Sequence, residues 1–268
     1  MSKNLYIVPY DFSGVADKAL QYALHIGKHV DTEIRIVHLA KDKAKGMVKV
    51  KLLNDVKNKL TIPAGVEVTT LVRVGDIFTD IGKIAKKEHA QLIVMGTHGS
   101  KGMQWLFGSY AMKILQSADC PFLIVQKNTE IEEISGLVVA IDQTKESMQI
   151  VSTAGDMSNI MKCKVNVIAE KQTDQILNTR IQNRVGIIKK EYEERGIDAN
   201  IEFVAKNGKY NRKVIKYAKQ NDIGLIAIAF HSESLFPVFD TFAQKIITNK
   251  PAIPVLIVNS KLASALYF

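Results

Sequence analysis

The sequence predicts an α/β protein of two repeated, doubly wound domains, each with a mainly parallel five-stranded sheet. Three observations lead to this class: a length of 268 residues, an internal repeat, and a regular alternation of apolar runs with longer segments of helical period. The length is about twice that of the commonest single domain. Hydrophobic residues make up 47% and charged residues 24% of the chain, as is typical of folded globular proteins.

The two halves of the chain repeat one pattern at an offset of 131 to 133 residues. The aligned runs are 5–11 with 136–142, 34–40 with 165–170, 92–98 with 225–231, and 120–125 with 253–258. Chance similarity does not keep a steady register over a whole chain, so we interpret the sequence as a duplication. The predicted domains are residues 1–127 and 137–268, joined by a polar linker at 128–136.

Each element of the first half follows from its residue pattern. The predicted strands are 4–9, 33–39, 66–72, 91–96 and 121–126, and the predicted helices are 14–29, 45–60, 77–89 and 109–117. The run Leu92–Met95 is apolar at every position, as in strands buried on both faces of a parallel sheet. Strand–helix–strand alternation with crossovers of this length gives right-handed βαβ units, and therefore a doubly wound sheet.

Charge and cysteine content narrow the classes of function. The two cysteines, Cys120 and Cys163, lie in different halves, which excludes a disulfide framework and predicts a cytoplasmic protein. No apolar segment is long enough to span a bilayer, so no membrane partner is predicted. The net charge of +9 invites nucleic-acid binding. Because the lysines alternate with glutamates on helices and lack interleaved aromatic residues, nucleic acid is not the predicted partner.

A glycine-rich loop follows the buried fourth strand. Gly96, Gly99 and Gly102 are expected to adopt positive φ and to expose backbone amides. Gly108 and Ser109 open the next helix, whose free N-terminal amides can bind an anion. In an open parallel sheet, ligands bind beyond the carboxyl ends of the strands, where the strand order reverses. The loop and helix start are therefore predicted to grip a phosphate chain.

This arrangement resembles the universal stress protein family, whose ATP-binding members carry Gly-x2-Gly, nine further residues, and then Gly-Ser or Gly-Thr. Gly96-Thr-His-Gly99 and Gly108-Ser109 match in type and order, and Val8–Ser13 looks like the end of the family's first strand. The spacer at 100–107 departs from the pattern, with eight residues instead of nine. The resemblance covers both repeats. It implies a fold related to nucleotide-binding α/β proteins and an adenine nucleotide, ATP or AMP, with or without Mg.

The resemblance also implies site residues in the first domain. Asp11 and the backbone of Pro9 and Tyr10 would contact adenine or ribose. Leu39 and Met95 would flank the adenine. The residues implied at the ribose and phosphates are Gly96, His98, Gly99, Gly108, Ser109 and Tyr110. For Asp11, capping of the following helix is an alternative role, and His98 has the alternative of a loop histidine bonded to backbone.

The second copy lacks the phosphate-binding residues. Gly96 is replaced by Ala229, Gly99 by Ser232, and Gly108-Ser109 by Asp240-Thr241. A carboxylate at the phosphate position would repel the ligand, and the neighbours Phe230, Phe236 and Phe239 are bulky. We therefore predict a pseudo-domain with a structural or dimerising role. Since last strands pair in the family, an intramolecular pseudo-dimer or a homodimer is expected.

Motifs of rapid catalysis are absent from the sequence. It has no P-loop, no dinucleotide fingerprint and no nucleophile elbow, so at most slow ATP hydrolysis is expected. His25 and His29 have a spacing that suits zinc but no third ligand, and no metal site is predicted. The leading hypothesis is a stress or regulatory protein that binds nucleotide and signals to an unidentified protein partner. The alternatives are a non-nucleotide interaction scaffold of the same family, and a slow ATP hydrolase or transferase.

Overall fold

The computed structural model describes residues 3–97, 109–142, 144–230 and 241–259, with backbone only at 109–112. The chain divides into two compact units, Met1–Ile131 and Glu132–Phe268. Both units alternate strands with helices, and all strand pairs within each unit are parallel. The predicted α/β class and its two repeats are therefore confirmed.

The first unit contains five strands and four helices among its described residues. They are β1 (Asn4–Pro9), α1 (Gly14–Gly27), β2 (Thr32–Ala40), α2 (Lys43–Asn58), β3 (Val66–Val74), α3 (Ile77–Lys87), β4 (Leu92–Gly96), α4 (Ser109–Ser117) and β5 (Phe122–Val125). The strand order is β3-β2-β1-β4-β5. All nine predicted elements are found, with ends displaced by at most two residues. The displacement in α2 has a physical cause: Asp42 accepts a hydrogen bond from the Lys45 backbone N–H at 2.8 Å and starts the helix early.

The second unit repeats this order of elements. They are β6 (Gly136–Ile141), a 3₁₀ turn (Glu146–Gln149), α5 (Ile150–Met161), β7 (Lys164–Glu170), α6 (Gln175–Glu194), β8 (Ala199–Val204), α7 (Tyr210–Gln220), β9 (Leu225–Phe230), α8 (Thr241–Ile247) and β10 (Val255–Asn259). The strand order is β10-β9-β6-β7-β8, the counterpart of the first unit.

The central strands form the core of each unit. Every residue of β4 and every residue of β6 is buried, as their continuous apolar sequences require. Among the described residues, no helix combines the length and apolarity needed to cross a membrane.

The strand order reverses at one place in each unit, beside the first strand. In the first unit β1 lies between β2 and β4, and in the second β6 lies between β7 and β9. Residues that follow the carboxyl ends of these strands occupy the edge where open α/β sheets bind ligands. We call these the first and second strand-end edges.

Candidate functional site

Asp11 organises the turn after β1. Its Oδ1 atom accepts hydrogen bonds from the Ser13 backbone N–H at 3.1 Å and from the Ser13 hydroxyl at 2.6 Å. The Ser13 hydroxyl oxygen in turn accepts from the Ala16 N–H at 3.3 Å and caps α1. The alternative role of Asp11 as the helix cap is therefore wrong, because Ser13 holds that position and Asp11 orients it.

Tyr10 is a buried residue that directly follows β1, at the first strand-end edge. Its hydroxyl donates to the Asp17 carboxylate, its backbone N–H donates to the Val37 carbonyl at 2.8 Å, and its carbonyl accepts from His38 Nδ1 at 2.7 Å. Burial, followed by the hydrogen bond to Asp17, raises the pKa of the Tyr10 hydroxyl. Pro9 is buried and lies beside Val37 in the strand register. The side chains of both residues are therefore packed within the first unit.

Phe12 lies at this edge in an unusual backbone conformation, with φ of 65°. Its ring centroid is 5.3 Å from that of Tyr10 and 5.1 Å from that of His38. The Lys49 ammonium lies 4.3 Å from the ring centroid, a cation–π contact. Positive φ in a bulky residue is strained, and such strain is concentrated at functional sites. No local sequence pattern predicts this cluster, because its members come from three separate segments.

His38 contacts both the Tyr10 backbone and the ring of Phe12. The Tyr10 carbonyl can only accept, so Nδ1 of His38 carries the proton in their hydrogen bond. Burial lowers the pKa of His38, with a further lowering from Lys49, against the raising effect of the Tyr10 carbonyl and Asp11. The neutral imidazole is therefore favoured near pH 7.

Gly96 ends β4 and lies directly against α1. A Cβ atom at this position would be 2.4 Å from Val15 Cγ2 and 3.0 Å from the Val15 carbonyl oxygen. The expectation of positive φ at Gly96 is wrong, because the residue pairs with Val125 in the extended ladder of β4 and β5. A glycine is needed here for the close approach of the first turn of α1 to the strand.

The other predicted site residues differ in how far the structure describes them. The side chain of Met95 is completely buried in the core, whereas Leu39 is half-buried at the end of β2. Ser109 and Tyr110 are the first residues of α4. His98, Gly99, Gly102 and Gly108, and in the second copy Ser232, Phe236, Phe239 and Asp240, lie outside the described residues.

The second strand-end edge is occupied by Tyr210, the counterpart of Ile77. The Tyr210 hydroxyl oxygen is 3.0 Å from the Ile141 carbonyl oxygen and 2.5 Å from that of Ile168. Its ring stacks on Phe242 with centroids 5.3 Å apart and planes inclined by 12°. Burial raises the pKa of the Tyr210 hydroxyl, which therefore stays protonated and able to donate. The side chain joins the carboxyl ends of β6 and β7.

A charged pair completes the second edge. Glu170, the counterpart of Leu39, forms an ion pair with Lys213 at 2.9 Å, with side chains 14% and 18% exposed. The Lys213 ammonium also donates to the Ala205 carbonyl. A polar, enclosed pair at this position replaces the apolar surface that Leu39 supplies in the first unit.

The turn after β6 has the same hydrogen-bond pattern as the turn at Asp11. Asp142 Oδ1 accepts from the Thr144 backbone N–H at 2.7 Å and from its hydroxyl at 2.5 Å. The helix that follows differs, since the 3₁₀ turn Glu146–Gln149 precedes α5. Ala229, which has a Cβ where Gly96 has none, is buried at the facing position of β9. Among the described residues, the two edges share the aspartate turn and differ at the positions of Tyr210, Glu170 and Ala229.

Across residues 3–97, 109–142, 144–230 and 241–259, no group of three or more His, Cys, Asp or Glu side chains is placed to hold a metal ion. These features together define the class of the molecule: a duplicated, doubly wound α/β protein whose two strand-end edges have diverged.

Comparison with known proteins identifies the family. A model of the universal stress protein family matches residues 6–126. Universal stress protein MJ0531 of Methanocaldococcus jannaschii is 31% identical over 145 residues, which cover 47% of this chain and 85% of that protein. Universal stress protein YxiE of Bacillus subtilis is 29% identical over 147 residues, which cover 46% of this chain and 99% of that protein.

A solved structure shows the same fold over nearly the whole chain. The crystal structure of a universal stress protein from Archaeoglobus fulgidus gives a TM-score of 0.74 at 16% identity, and it covers 97% of this chain and 100% of that one. The chain belongs to the universal stress protein family, and its two repeats make it a tandem member.

Proposed function

We propose that the first unit binds an adenine nucleotide, ATP or AMP, at its strand-end edge, and that the second unit is a pseudo-domain that binds none. One observation supports this proposal: among the residues that the structure describes, the second edge holds a bridging tyrosine and an ion pair at positions where the first edge has Ile77 and Leu39. Tyr210 bridges two strand ends there, and the Glu170–Lys213 pair lies beside it.

The first edge offers the chemistry that a nucleotide requires. Asp11 is held in position by Ser13, and a fixed carboxylate is a suitable acceptor for ribose hydroxyls. The half-buried Leu39 and the ring of Phe12 supply apolar surface for a base, as small-molecule sites do. The backbone start of α4 at Ser109 supplies helix N-terminal amides for phosphate. A magnesium ion would be held mainly by the phosphates.

Calorimetric titration of the full chain with ATP and with AMP, each with and without Mg²⁺, tests this proposal. The expected result is saturable binding at submillimolar concentration. Folded protein that shows no saturable binding below millimolar concentration would overturn it. Phosphate release measured in the same samples separates binding alone from slow ATP hydrolysis or transfer.

A scaffold without nucleotide is the second candidate function, and the eight-residue spacer at 100–107 favours it. The spacer lies outside the described residues, and a loop one residue shorter than the family pattern is predicted to shift the helix-start amides relative to the first glycines. Insertion of one glycine within this spacer distinguishes the two functions. A gain of ATP affinity on insertion supports the scaffold, and a loss supports a site adapted to the shorter loop.

A further inference from the structure

The second unit carries a basic cleft between α7 and α8. Its volume is 510 Å³, within the usual range for small-molecule sites. The residues that line it are Lys209, Asn211, Arg212, Ile215, Lys216, Lys219, Lys245, Thr248, Asn249 and Lys250. Six of these ten are cations and none is acidic, so the cleft is suited to a ligand of high negative charge.

A single replacement changes how the two helices of the cleft pack against each other. In the first unit Gly82 of α3 packs on the end of α4, and a Cβ there would lie 1.9 Å from the Ser117 carbonyl oxygen. The counterpart of Gly82 is Ile215, which lines the cleft. A branched side chain cannot fit where only a glycine fits, so α7 and α8 cannot pack in the way that α3 and α4 do.

The cations of the cleft also lack the acidic partners of their counterparts. In the first unit Lys83 pairs with Asp80 at 2.9 Å and Lys86 pairs with Asp119 at 3.0 Å. The counterparts of these lysines are Lys216 and Lys219, but Asp80 is replaced by Lys213.

The loop that follows α8, residues 248–254, contains no acidic residue in place of Asp119. Within the described ranges, none of the six cations of the cleft forms an ion pair. The second repeat has thus lost the two acids and gained further cations at the same place.

We propose that this cleft is a binding site for an oligophosphate anion, such as inorganic tripolyphosphate or a segment of a polyphosphate chain. Five lysines and one arginine, on α7, on α8 and at the residues next to these helices, match a ligand with a charge on every repeating unit. Lysine is a common phosphate ligand, as a point charge. No aromatic side chain lines the cleft, so it lacks the stacking surface that single-stranded nucleic acids use. Ile215 alone offers little apolar contact for a peptide.

The test compares two matched variants of the full chain by titration with sodium tripolyphosphate. The cleft variant carries Lys216→Gln and Lys219→Gln, and the control carries Lys83→Gln and Lys86→Gln at the equivalent positions of the first unit. Both lose two charges, so overall charge is held constant between them. The cleft variant is expected to lose affinity about tenfold, and the control less than about twofold. Affinity should also fall as salt concentration rises.

Three results would overturn the proposal. The first is no saturable tripolyphosphate binding by the wild-type chain. The second is an equal loss in the two variants, which would indicate general charge attraction or binding at the first strand-end edge. The third comes from competition: oligothymidylate or polyglutamate of equal charge that displaces tripolyphosphate at lower concentration would identify nucleic acid or acidic peptide as the better ligand.

Discussion

Tyr210 and Phe242 stack nearly parallel in the second unit, with ring centroids 5.3 Å apart and planes inclined by 12°. The Tyr210 hydroxyl reaches the carbonyl oxygens of Ile141, the last residue of β6, and of Ile168, near the end of β7. In the first unit the residue aligned with Tyr210 is Ile77, which has no hydroxyl to make this bridge. Within the part of the chain that the structure describes, this side chain therefore distinguishes the second edge from the first.

Removal of the Tyr210 hydroxyl should destabilise the second unit without changing nucleotide binding. Tyr210→Phe leaves two enclosed strand-end carbonyls without this donor, which costs about 1–2 kcal/mol in the free energy of unfolding. Urea denaturation measures the loss. Tyr217→Phe is the control, since Tyr217 lies on the same helix as Tyr210. Its hydroxyl contacts Asn166 Oδ1 at 3.1 Å, a contact that water can replace. Equal losses in the two variants would contradict the bridging role of Tyr210.

Substitution of Gly96 should destabilise the first unit through Val15. In Gly96→Ala the new methyl group meets the Val15 side chain and carbonyl oxygen, and overpacking of this kind costs about 2–3 kcal/mol. Gly14→Ala is the control, because a Cβ there has no atom within 4 Å. The double variant Val15→Ala/Gly96→Ala should lose less stability than the sum of its single variants. Additive losses would contradict a direct contact.

Neutralisation of Asp11 should weaken nucleotide binding, whereas neutralisation of Asp142 should not. The two carboxylates make the same turn with Ser13 and Thr144, so Asp11→Asn and Asp142→Asn are structurally matched. We expect a loss of about tenfold in ATP affinity for the first variant, because it weakens a charge-assisted hydrogen bond to the ligand. Titration calorimetry makes the comparison. Equal ATP affinities in the two variants would show that Asp11 does not contact the nucleotide.

The stability of the first unit should fall in mild acid because of His38. Burial lowers the pKa of His38 below its ordinary value of 6.5, so between the two values the unfolded chain binds more protons than the folded one. The stabilising difference is present above pH 6.5 and is lost as pH falls toward the lowered pKa. Urea midpoints between pH 5 and pH 8 should show this slope in the wild type. His38→Asn should reduce this dependence of stability on pH. An unchanged slope in the variant would show that groups other than His38 cause it.

Local pattern was sufficient to predict the elements of the first half. Continuous apolar runs such as β4 identify strands buried on both faces. The Asp42 cap, which starts α2 before its predicted first residue, was not predicted. The role of Gly96 was only half predicted, since its place at the edge was found but its contact with Val15 depends on tertiary packing. Phe12 and Lys49 were missed for a similar reason, because their contact joins the turn after β1 to α2, which follows only after α1 and β2 along the chain.

The prediction for the second edge rested on the loss of the phosphate-binding glycines. The structure shows Tyr210 and the Glu170–Lys213 pair at this edge. Loss of the glycines is readable from the sequence, but Tyr210 lies far from them along the chain. Its hydroxyl bonds with strand ends depend on the crossover that brings α7 to the sheet. Pairing of Glu170 with Lys213 depends on the same crossover. Neither contact has a local sequence signal.

Counting nucleotide sites by equilibrium dialysis with labelled ATP tests the central proposal most directly. Asymmetry between the two edges predicts saturation at one ATP per chain, abolished or strongly weakened by Asp11→Asn and retained in Asp142→Asn. Two ATP per chain, or one that is lost only in Asp142→Asn, would contradict it.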